Sequence, residues 1–559
     1  MKRRIKIMEF LSLIISDDKR LTLCLNIIGL YMLSHAALAQ NLHVPDNGDG
    51  TFTNPVMYNA HWSDPSVIKV GEDYYCITSS LETTPLMQIL HSRDLVNWKV
   101  IGSVSRFWNS KYPPTMNWSP RLSYINGVFR VCGHFTQDNM FIYQSSSIHG
   151  PWTEVQHKFD NMAWQWAPNF YKDKDGSIYL YANNWIQKVN NEMTSFIGGR
   201  LEVVKGTLLE NPSLFFSHTM YYWVQSQNGT DKMGVTESDA KITVWKSKNI
   251  TGPYLESKDL LLGNLRWQGP NTGSVVEVNN DEWWYCYNTW DMLRLAMCRQ
   301  FHLDKLEWNK SGWPEINGNN GPSTTFRKPV KSITNNFLPD MTDEFNGQKL
   351  EGIDTLSLGS KWLFRNEMRD AWSLSKEKGK ISLKALYPGF DSQESPNFLA
   401  QRPSSAYYTV ETKLYIKPKS VFEKSGLAIK EFCSKNGIYI TLESDYFFMK
   451  DTSFVLKVWH CSQSKFKEVE KMPLLFDSDN NSICLKINMN GLEAEAFYSY
   501  DGKSWKKLGG EYGFNWEKGM EWNRYWTSFM PAIFSGSKIL NPGSGEAYFD
   551  YFRIRHAGN

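Results

Sequence analysis

Short stretches in which hydrophobic and polar residues alternate recur along the first half of the chain, and they follow one repeated pattern. Each copy has a proline or glycine, a short apolar run, a turn, and a second run rich in aromatic residues. The five copies begin at Asp64, Ser119, Ala167, Asn211 and Thr272. Alternation with a period of two predicts β-strands, and Asn-Gly and Asp-Gly turns are typical of tight hairpins. Each copy therefore predicts a β-hairpin.

A further pair of predicted strands follows four of these hairpins, and the third copy has only a loose equivalent around Met193 to Glu202. Repeats of about 45–60 residues with roughly four strands each are typical of a β-propeller. The sequence therefore predicts an all-β fold with five blades over residues 40–330. The first strand of a blade lies nearest the axis, so the residues that open the five copies should meet at one central cavity.

A second all-β region occupies residues 340–559. The stretch from Gly318 to Pro339 is polar and rich in Pro, Asn and Ser, which predicts a linker and cap. Alternating runs such as Tyr407 to Pro418 follow, without helical periodicity. A region of this size with these features should form a two-sheet β-sandwich.

The first 39 residues have the features of a signal peptide. Lys19 and Arg20 precede the apolar run from Leu21 to Leu33, and Ala37-Leu38-Ala39 offers a cleavage site with small residues. A membrane anchor is the weaker alternative, because polar residues interrupt the run and it falls short of about 18 apolar residues. We expect an exported protein, periplasmic or extracellular.

Charge and cysteine content exclude several classes of function. The formal net charge of +3 is carried by the predicted signal peptide, so the mature chain is near neutral. A neutral chain disfavours nucleic acid and anionic membranes as partners. The cysteines after Cys24 are scattered without CxxC spacing, which predicts buried free thiols and neither a zinc site nor a disulfide scaffold. The 14% aromatic content, with 23 Trp, suits both β-strands and sugar-binding surfaces.

Several segments resemble glycoside hydrolase family 43, the β-xylosidases and α-L-arabinofuranosidases. The first is NPVMYNAHWSDPSVIKVGEDYYCITSS followed by HSRDLVNW, and KSKNITGPY and LENPSLF fit the same family. In the second region, FLAQRPSSAYYTVETKLYIKP and YFDYFRI are similar to the concanavalin-like sandwich appended to the β-xylosidase members. The resemblance covers nearly the whole predicted mature chain and implies a five-bladed propeller followed by that sandwich.

The resemblance implies inverting hydrolysis by two carboxyl groups. One carboxylic acid protonates the leaving oxygen, and one carboxylate activates water across a gap of about 6.5–9.5 Å. The family's general base corresponds to Asp64 and its general acid to Glu210. A turn-capping Asp and a solvated loop Glu are the structural alternatives. Asp64→Asn is expected to abolish water activation at nearly unchanged stability.

The chain departs from the family at three pocket positions. The family's third carboxylate, which holds the acid protonated and oriented, corresponds to Ala167. A cavity-facing His corresponds to Thr272, and an aromatic wall of the sugar pocket corresponds to Leu81. These substitutions predict a substrate pocket different from the family's usual one.

Other candidates are less specific. Trp118 matches a Trp of the pocket wall, with a propeller-core Trp as the alternative. Arg299 matches an Arg that can reach the sugar, with a surface arginine as the alternative. No cofactor or catalytic metal is implied. Asp550 with Asp343 or Glu344 could hold a structural calcium in the sandwich, although ordinary turn carboxylates are the simpler interpretation.

The leading hypothesis is an exo-acting inverting glycosidase that removes xylose or arabinofuranose from plant polysaccharide or its oligosaccharides. Two alternatives remain open because of Ala167: a carbohydrate-binding pseudo-hydrolase, and a glycosidase for another sugar. In each case the partner is a carbohydrate, and the sequence indicates no oligomeric state.

Overall fold

The structure, a computed structural model, describes residues 42–556 apart from a set of short internal gaps. The predicted signal peptide, residues 1–39, lies outside the described residues. The gaps are 58, 61, 108–116, 136–139, 164, 207–208, 232–233, 331–340, 351–360, 366–369, 393, 432–433, 445–452, 463–464, 477–480, 515–527 and 541–543.

The first half of the chain forms five four-stranded antiparallel blades, which confirms the predicted propeller. A short strand, β1 (Thr51–Thr53), precedes them. The blades are β2 (Ser63–Val70), β3 (Asp73–Ser79), β4 (Leu86–Ser92) and β5 (Lys99–Ser105); β6 (Trp118–Ile125), β7 (Val128–His134), β8 (Met140–Ser145) and β9 (Thr153–Glu154); β10 (Asn169–Lys172), β11 (Ile178–Ala182), β12 (Trp185–Val189) and β13 (Phe196–Glu202); β14 (Leu209–Ser217), β15 (Met220–Asp231), β16 (Gly234–Ser247) and β17 (Ser257–Leu261); and β18 (Trp267–Asn279), β19 (Glu282–Asp291), β20 (Arg299–Trp308) and β21 (Pro314–Ile316). In the third repeat, the loose equivalent predicted around Met193 to Glu202 contains the strand β13.

The residues that open the five repeats share an unusual backbone conformation. Their φ angles are 57° at Asp64, 39° at Ser119, 51° at Ala167, 55° at Asn211 and 36° at Thr272. In four blades one extra residue enters the inner strand here, as a β-bulge opposite the second strand. A bulge re-aims the side chain beside it and ends regular pairing. These four blades therefore each present a re-aimed residue at one end of the propeller axis.

Serine side chains join neighbouring inner strands just below these bulges. Ser66 accepts a hydrogen bond from the Leu122 amide of the next blade at 3.0 Å. Ser274 accepts one from the Val67 amide at 2.8 Å, and Ser213 accepts one from the Val275 amide. Because these bonds satisfy backbone groups that face the axis, they hold adjacent blades in fixed register.

The first and last strands of the propeller domain pair with each other and close it. The last strand lies in the stretch that was predicted to be a linker. The strand β22 (Thr325–Arg327) pairs with β1. The next residue, Lys328, is buried and forms ion pairs with Asp46 at 2.6 Å and Asp94 at 3.2 Å. The prediction of a linker from Gly318 was therefore wrong for this stretch, because pairing with β1 overrides its polar composition.

The second half is a sandwich of two seven-stranded sheets, as predicted. One sheet has the order β23-β26-β35-β28-β29-β30-β31, and the other β24-β25-β36-β27-β32-β33-β34. The strands are β23 (Leu363–Phe364), β24 (Trp372–Ser373), β25 (Ile381–Lys384), β26 (Phe398–Ala400), β27 (Tyr407–Lys417), β28 (Glu423–Glu431), β29 (Gly437–Ser444), β30 (Ser453–Ser462), β31 (Lys465–Leu475), β32 (Ile483–Asn490), β33 (Glu493–Ser499), β34 (Lys506–Gly513), β35 (Phe529–Ser537) and β36 (Glu546–His556).

Within the described residues, the helical elements are two 3₁₀ turns, Leu295–Met297 and Asn317–Asn319. None of the described helical segments has the length and apolar character needed to cross a membrane. The cysteines of the described residues are free and buried, as predicted, and Cys433 lies outside the described residues.

The sandwich packs on the end of the propeller where the bulges lie. Thr84 of blade 1 and Phe364 of β23 exchange two backbone hydrogen bonds, of 2.8 and 3.0 Å. Arg365 forms an ion pair with Glu82 in the same loop. Ala60 and the turn that precedes Arg299 join the apolar cluster of the sandwich core. The sandwich thus contacts chain segments that lead directly to predicted site residues.

Candidate active site

Asp64 is a buried carboxylate held by two side chains. Arg299 Nη1 donates to its Oδ1 at 2.9 Å, and Ser79 Oγ donates to its Oδ2 at 2.5 Å. Ser79 Oγ also accepts the backbone N–H of Ser119 at 2.8 Å, so its single proton is directed at the carboxylate. The side chains of Asp64 and Arg299 are each 1% exposed. Arg299 is therefore not a surface arginine, and that alternative was wrong.

The backbone of Asp64 is fixed by blade 5. Its N–H donates to Asn288 Oδ1 at 2.6 Å, and Asn288 Nδ2 donates to the carbonyl of Trp62 at 3.1 Å. Thr272 Oγ1 also donates to Asn288 Oδ1, at 3.2 Å. The Thr272 hydroxyl thus contacts the side chain that holds Asp64. Its predicted contact with substrate stays a prediction.

A second guanidinium lies close to the base. Arg121, on β6, is 1% exposed and donates to the carbonyl of Gly273 across the axis at 2.9 Å. Burial lowers the pKa of Arg121, and the nearby hydroxyl of Tyr181 and carboxylate of Asp64 oppose that shift. Arg299 therefore contacts the Asp64 carboxylate directly, and the buried Arg121 interacts with its charge without a described hydrogen bond to it.

Glu210, Trp118 and Trp166 occupy one position in three consecutive blades, directly before the residue with positive φ. The rings of Trp118 and Trp166 meet edge to face at 6.4 Å, and both residues are partly exposed. Glu210 is partly exposed on β14, and its carbonyl accepts the Ser226 hydroxyl at 2.8 Å. Trp118 is therefore not a fully buried core residue. The roles of Glu210 and Trp118 stay predictions.

Ala167 and Leu81 are enclosed, with exposed fractions of 1% and 0%. Leu81 pairs through its backbone with Asn117, whose side chain accepts the Ser80 amide. Both residues are therefore buried in this structure. Direct contact of either with substrate stays a prediction.

The candidate site lies at the opposite end of the axis from a large cavity in the described structure. That cavity, of about 800 Å³, is lined by the far ends of the inner strands, including Tyr124, Lys172 and Phe216. No predicted site residue lines it. The position of this cavity therefore does not indicate the candidate active site. That site is identified by the buried Asp64 carboxylate and its hydrogen-bond donors.

The carboxylates considered for calcium have separate protein partners. Asp343 accepts from the Trp362 ring nitrogen at 2.8 Å, and Asp550 lies 3.4 Å from Lys413. Glu344 forms a bidentate pair with Arg553. In the part of the chain that the structure describes, no three His, Cys, Asp or Glu residues form a group able to hold a metal. A structural calcium here stays a prediction.

Three residues around Asp64 were missed by the sequence analysis: Ser79, Asn288 and Arg121. Ser79 ends β3 and Asn288 lies near the end of β19, and they pair with Ser63 and Asn271. Their positions depend on the bulge, which shifts the pairing by one residue. A hairpin register that includes this extra residue would have placed Ser79 and Asn288 beside the residues that open their repeats.

Comparison with known proteins supports the fold. The profile of Glycosyl hydrolases family 43 matches residues 52–314. The profile of the beta xylosidase C-terminal concanavalin A-like domain matches residues 351–555. Together they span the propeller and the sandwich.

Two curated relatives and one solved structure agree with this assignment. A xylan 1,3-beta-xylosidase of Vibrio sp. is 26% identical over 82% of this chain and 90% of its own length. A non-reducing end alpha-L-arabinofuranosidase of Bacteroides ovatus is 26% identical over 73% of this chain and 77% of its own. The crystal structure of a family 43 protein from Bacillus licheniformis superposes with a TM-score of 0.75, at 25% identity, over 91% of this chain and all of that one. The chain therefore belongs to glycosyl hydrolase family 43 and is a glycoside hydrolase with a β-xylosidase-type C-terminal domain.

Proposed function

We propose that the chain is an inverting exo-glycosidase that removes a pentose, xylose or arabinofuranose, with Asp64 as general base and Glu210 as general acid. The observation that carries the proposal is the buried Asp64 carboxylate, held by Arg299 and Ser79 at the opening of the first inner strand. Glu210 lies at the corresponding end of blade 4. We expect the two carboxyl groups to lie about 6.5–9.5 Å apart across the axial funnel.

The contacts of Asp64 suit a base. A carboxylate has about four lone-pair sites, and the two donors described use one on each oxygen, so acceptor capacity remains for a water molecule. Arg299 compensates the buried negative charge, which would otherwise be costly. The hydrogen bond from the Asp64 N–H to Asn288 fixes the orientation of the Asp64 backbone, and fixed geometry makes a nearby carboxylate an efficient base.

The acid needs a different environment, because it must hold a proton at the working pH. Trp166 occupies the position corresponding to Glu210 in the preceding blade. An apolar ring beside a carboxyl favours the protonated form. The methyl group of Ala167 offers neither charge repulsion nor a hydrogen bond to Glu210. We therefore expect weak support for the acid, and good turnover only of substrates whose leaving groups need little protonation.

The names of two relatives support a pentose, since one is a β-xylosidase and another a non-reducing end α-L-arabinofuranosidase. A glycosidase for another sugar is a second candidate, because Ala167 replaces a pocket carboxylate. Release of p-nitrophenol from β-xyloside, α-L-arabinofuranoside and hexoside substrates separates the two. NMR of the first product anomer tests inversion, and product sizes from xylo- and arabino-oligosaccharides test exo action. Retention of configuration, or release of long oligosaccharides, would overturn the mechanism or the exo assignment respectively.

A further inference from the structure

The sandwich reaches the propeller through Arg402, in the loop between β26 and β27. Its guanidinium carbon lies 3.9 Å from the centre of the Trp62 ring, and its Nη2 donates to Gln88 Oε1 at 2.6 Å. Arg402, Trp62 and Gln88 are 3%, 1% and 2% exposed. A cation stacked on an indole ring is strongly attracted when both are shielded from water. The next residue, Pro403, accepts the N–H of Ala60 through its carbonyl at 3.0 Å.

These contacts act on the segment that leads into Asp64. Trp62 is two residues before Asp64, and Asn288 bonds to both, accepting from the Asp64 amide and donating to the Trp62 carbonyl. The amide of Asn288 is thus a rigid link between the residue that Arg402 covers and the backbone of Asp64. If Trp62 moves, its carbonyl moves relative to the Asn288 amide, which also holds the N–H of Asp64.

We propose that Arg402 of the sandwich is a positioning residue for Asp64, acting through Trp62 and Asn288. The inference rests on the proposed role of Asp64 as the general base. The contacts of Arg402 described above are with Trp62 and Gln88. Arg402 fixes the orientation of the carboxylate by holding the backbone that precedes it. The sandwich thereby contributes to catalysis from outside the pocket.

Domain attachment does not depend on Arg402 alone. The backbone pairing of Thr84 with Phe364 and the ion pair of Arg365 with Glu82 join the same two domains. These contacts involve the loop after Ser80, whereas the contacts of Arg402 and Pro403 involve the segment before Asp64. Loss of Arg402 should therefore leave the domains joined and affect the position of the base.

The test compares Arg402→Met with Arg402→Lys in the full chain, on p-nitrophenyl and poorer aryl glycosides. Misplacing a catalytic group by about 1 Å costs on the order of 100-fold. We expect Arg402→Met to lower kcat about 10–100-fold with KM changed less than about threefold. The factor should be the same for good and poor leaving groups, because water attack is impaired and leaving-group protonation is not. Arg402→Lys keeps a cation near Trp62 and should recover part of kcat.

Arg553→Met is the matched control, since it removes an arginine ion pair within the sandwich, with Glu344. It should leave kcat unchanged. All activities are measured at least 15 °C below the Tm of each variant, so that unfolding does not enter.

The outcomes separate the inference from the proposed function. If the wild-type protein is inactive on the whole panel, or Asp64→Asn keeps its activity, the proposed function has failed. If the wild type is active and Asp64→Asn is not, but Arg402→Met keeps kcat within twofold, the inference is wrong. It is also wrong if the loss grows steadily with leaving-group pKa, which indicates general loosening that reaches Glu210. Should Arg402→Met fail to fold, Arg402→Lys decides, and a wild-type kcat in that variant overturns the inference.

Discussion

Asp64 and Arg299 form a buried ion pair, and this makes the pair testable by stability as well as by activity. The sequence alone predicts that Asp64→Asn leaves stability nearly unchanged. The structure changes that expectation, because the substitution leaves a guanidinium that is 1% exposed without its counter-charge. Removing one partner of a buried pair costs about 3–5 kcal/mol. Asn keeps a carbonyl that can accept from Arg299, so we expect the lower end, about 3 kcal/mol.

A loss of that size should lower the Tm of the propeller by roughly 6–10 °C, measured by calorimetry. The kcat on aryl glycosides should fall about 10²–10⁴-fold, the usual contribution of a general base. The double variant Asp64→Asn/Arg299→Met removes both charges. It should be less destabilised than the sum of the single variants, because their effects are coupled through one contact. It should stay inactive. Additive Tm losses, or an Asp64→Asn enzyme with kcat within tenfold of wild type, would refute the assignment of a buried pair that serves the base.

Three further predictions address other parts of the chain. Ala167→Asp restores a carboxylate beside Glu210 at a backbone φ of 51°, which Asp tolerates better than most residues. Activity on poor leaving groups should rise and the basic limb of the pH profile should move to higher pH; a loss of activity would indicate a pocket rebuilt for another sugar. Burial raises the pKa of the Asp304 carboxyl from 3.8 to about 6. Wild-type stability should therefore fall relative to Asp304→Asn as pH rises from about 4 to 6, by about 3 kcal/mol, in denaturant unfolding at several pH values, whereas parallel curves would contradict it. The secreted protein should begin at Gln40 by N-terminal sequencing, and an intact Met1 in the secreted protein would contradict a cleaved signal peptide.

The blades could be predicted from the sequence because their signals are local. Alternation, hairpin turns and an opening proline or glycine lie within about twenty residues of each other in every repeat. The pairing of β22 with β1 could not be predicted in this way. It joins residues such as Phe52 and Phe326, which lie far apart in the chain, and one partner is a short polar strand.

The site residues show the same contrast between local signals and contacts that join distant parts of the chain. Asp64 was predicted from the resemblance to family 43 together with its position at the opening of the first repeat. Arg299 was left between a pocket and a surface position, because its contact with Asp64 spans 235 residues and depends on the order of the strands around the axis. Ser79 and Asn288 were missed because bulges shift their pairing. Arg402 was missed because its effect depends on docking between two domains.

The shared backbone conformation at the five repeat openings also bears on how this scaffold could change its chemistry. Aspartate, serine, alanine, asparagine and threonine occupy the same conformation at positions 64, 119, 167, 211 and 272. The identity of the side chain therefore does not set this conformation, and in four of the blades it coincides with the bulge. A single substitution at any of these five positions can therefore change the functional group that is presented at the axis without a change in loop structure. Such an arrangement lets a lineage exchange substrates while its architecture stays constant, and it gives the protein engineer five ready attachment points for new functional groups.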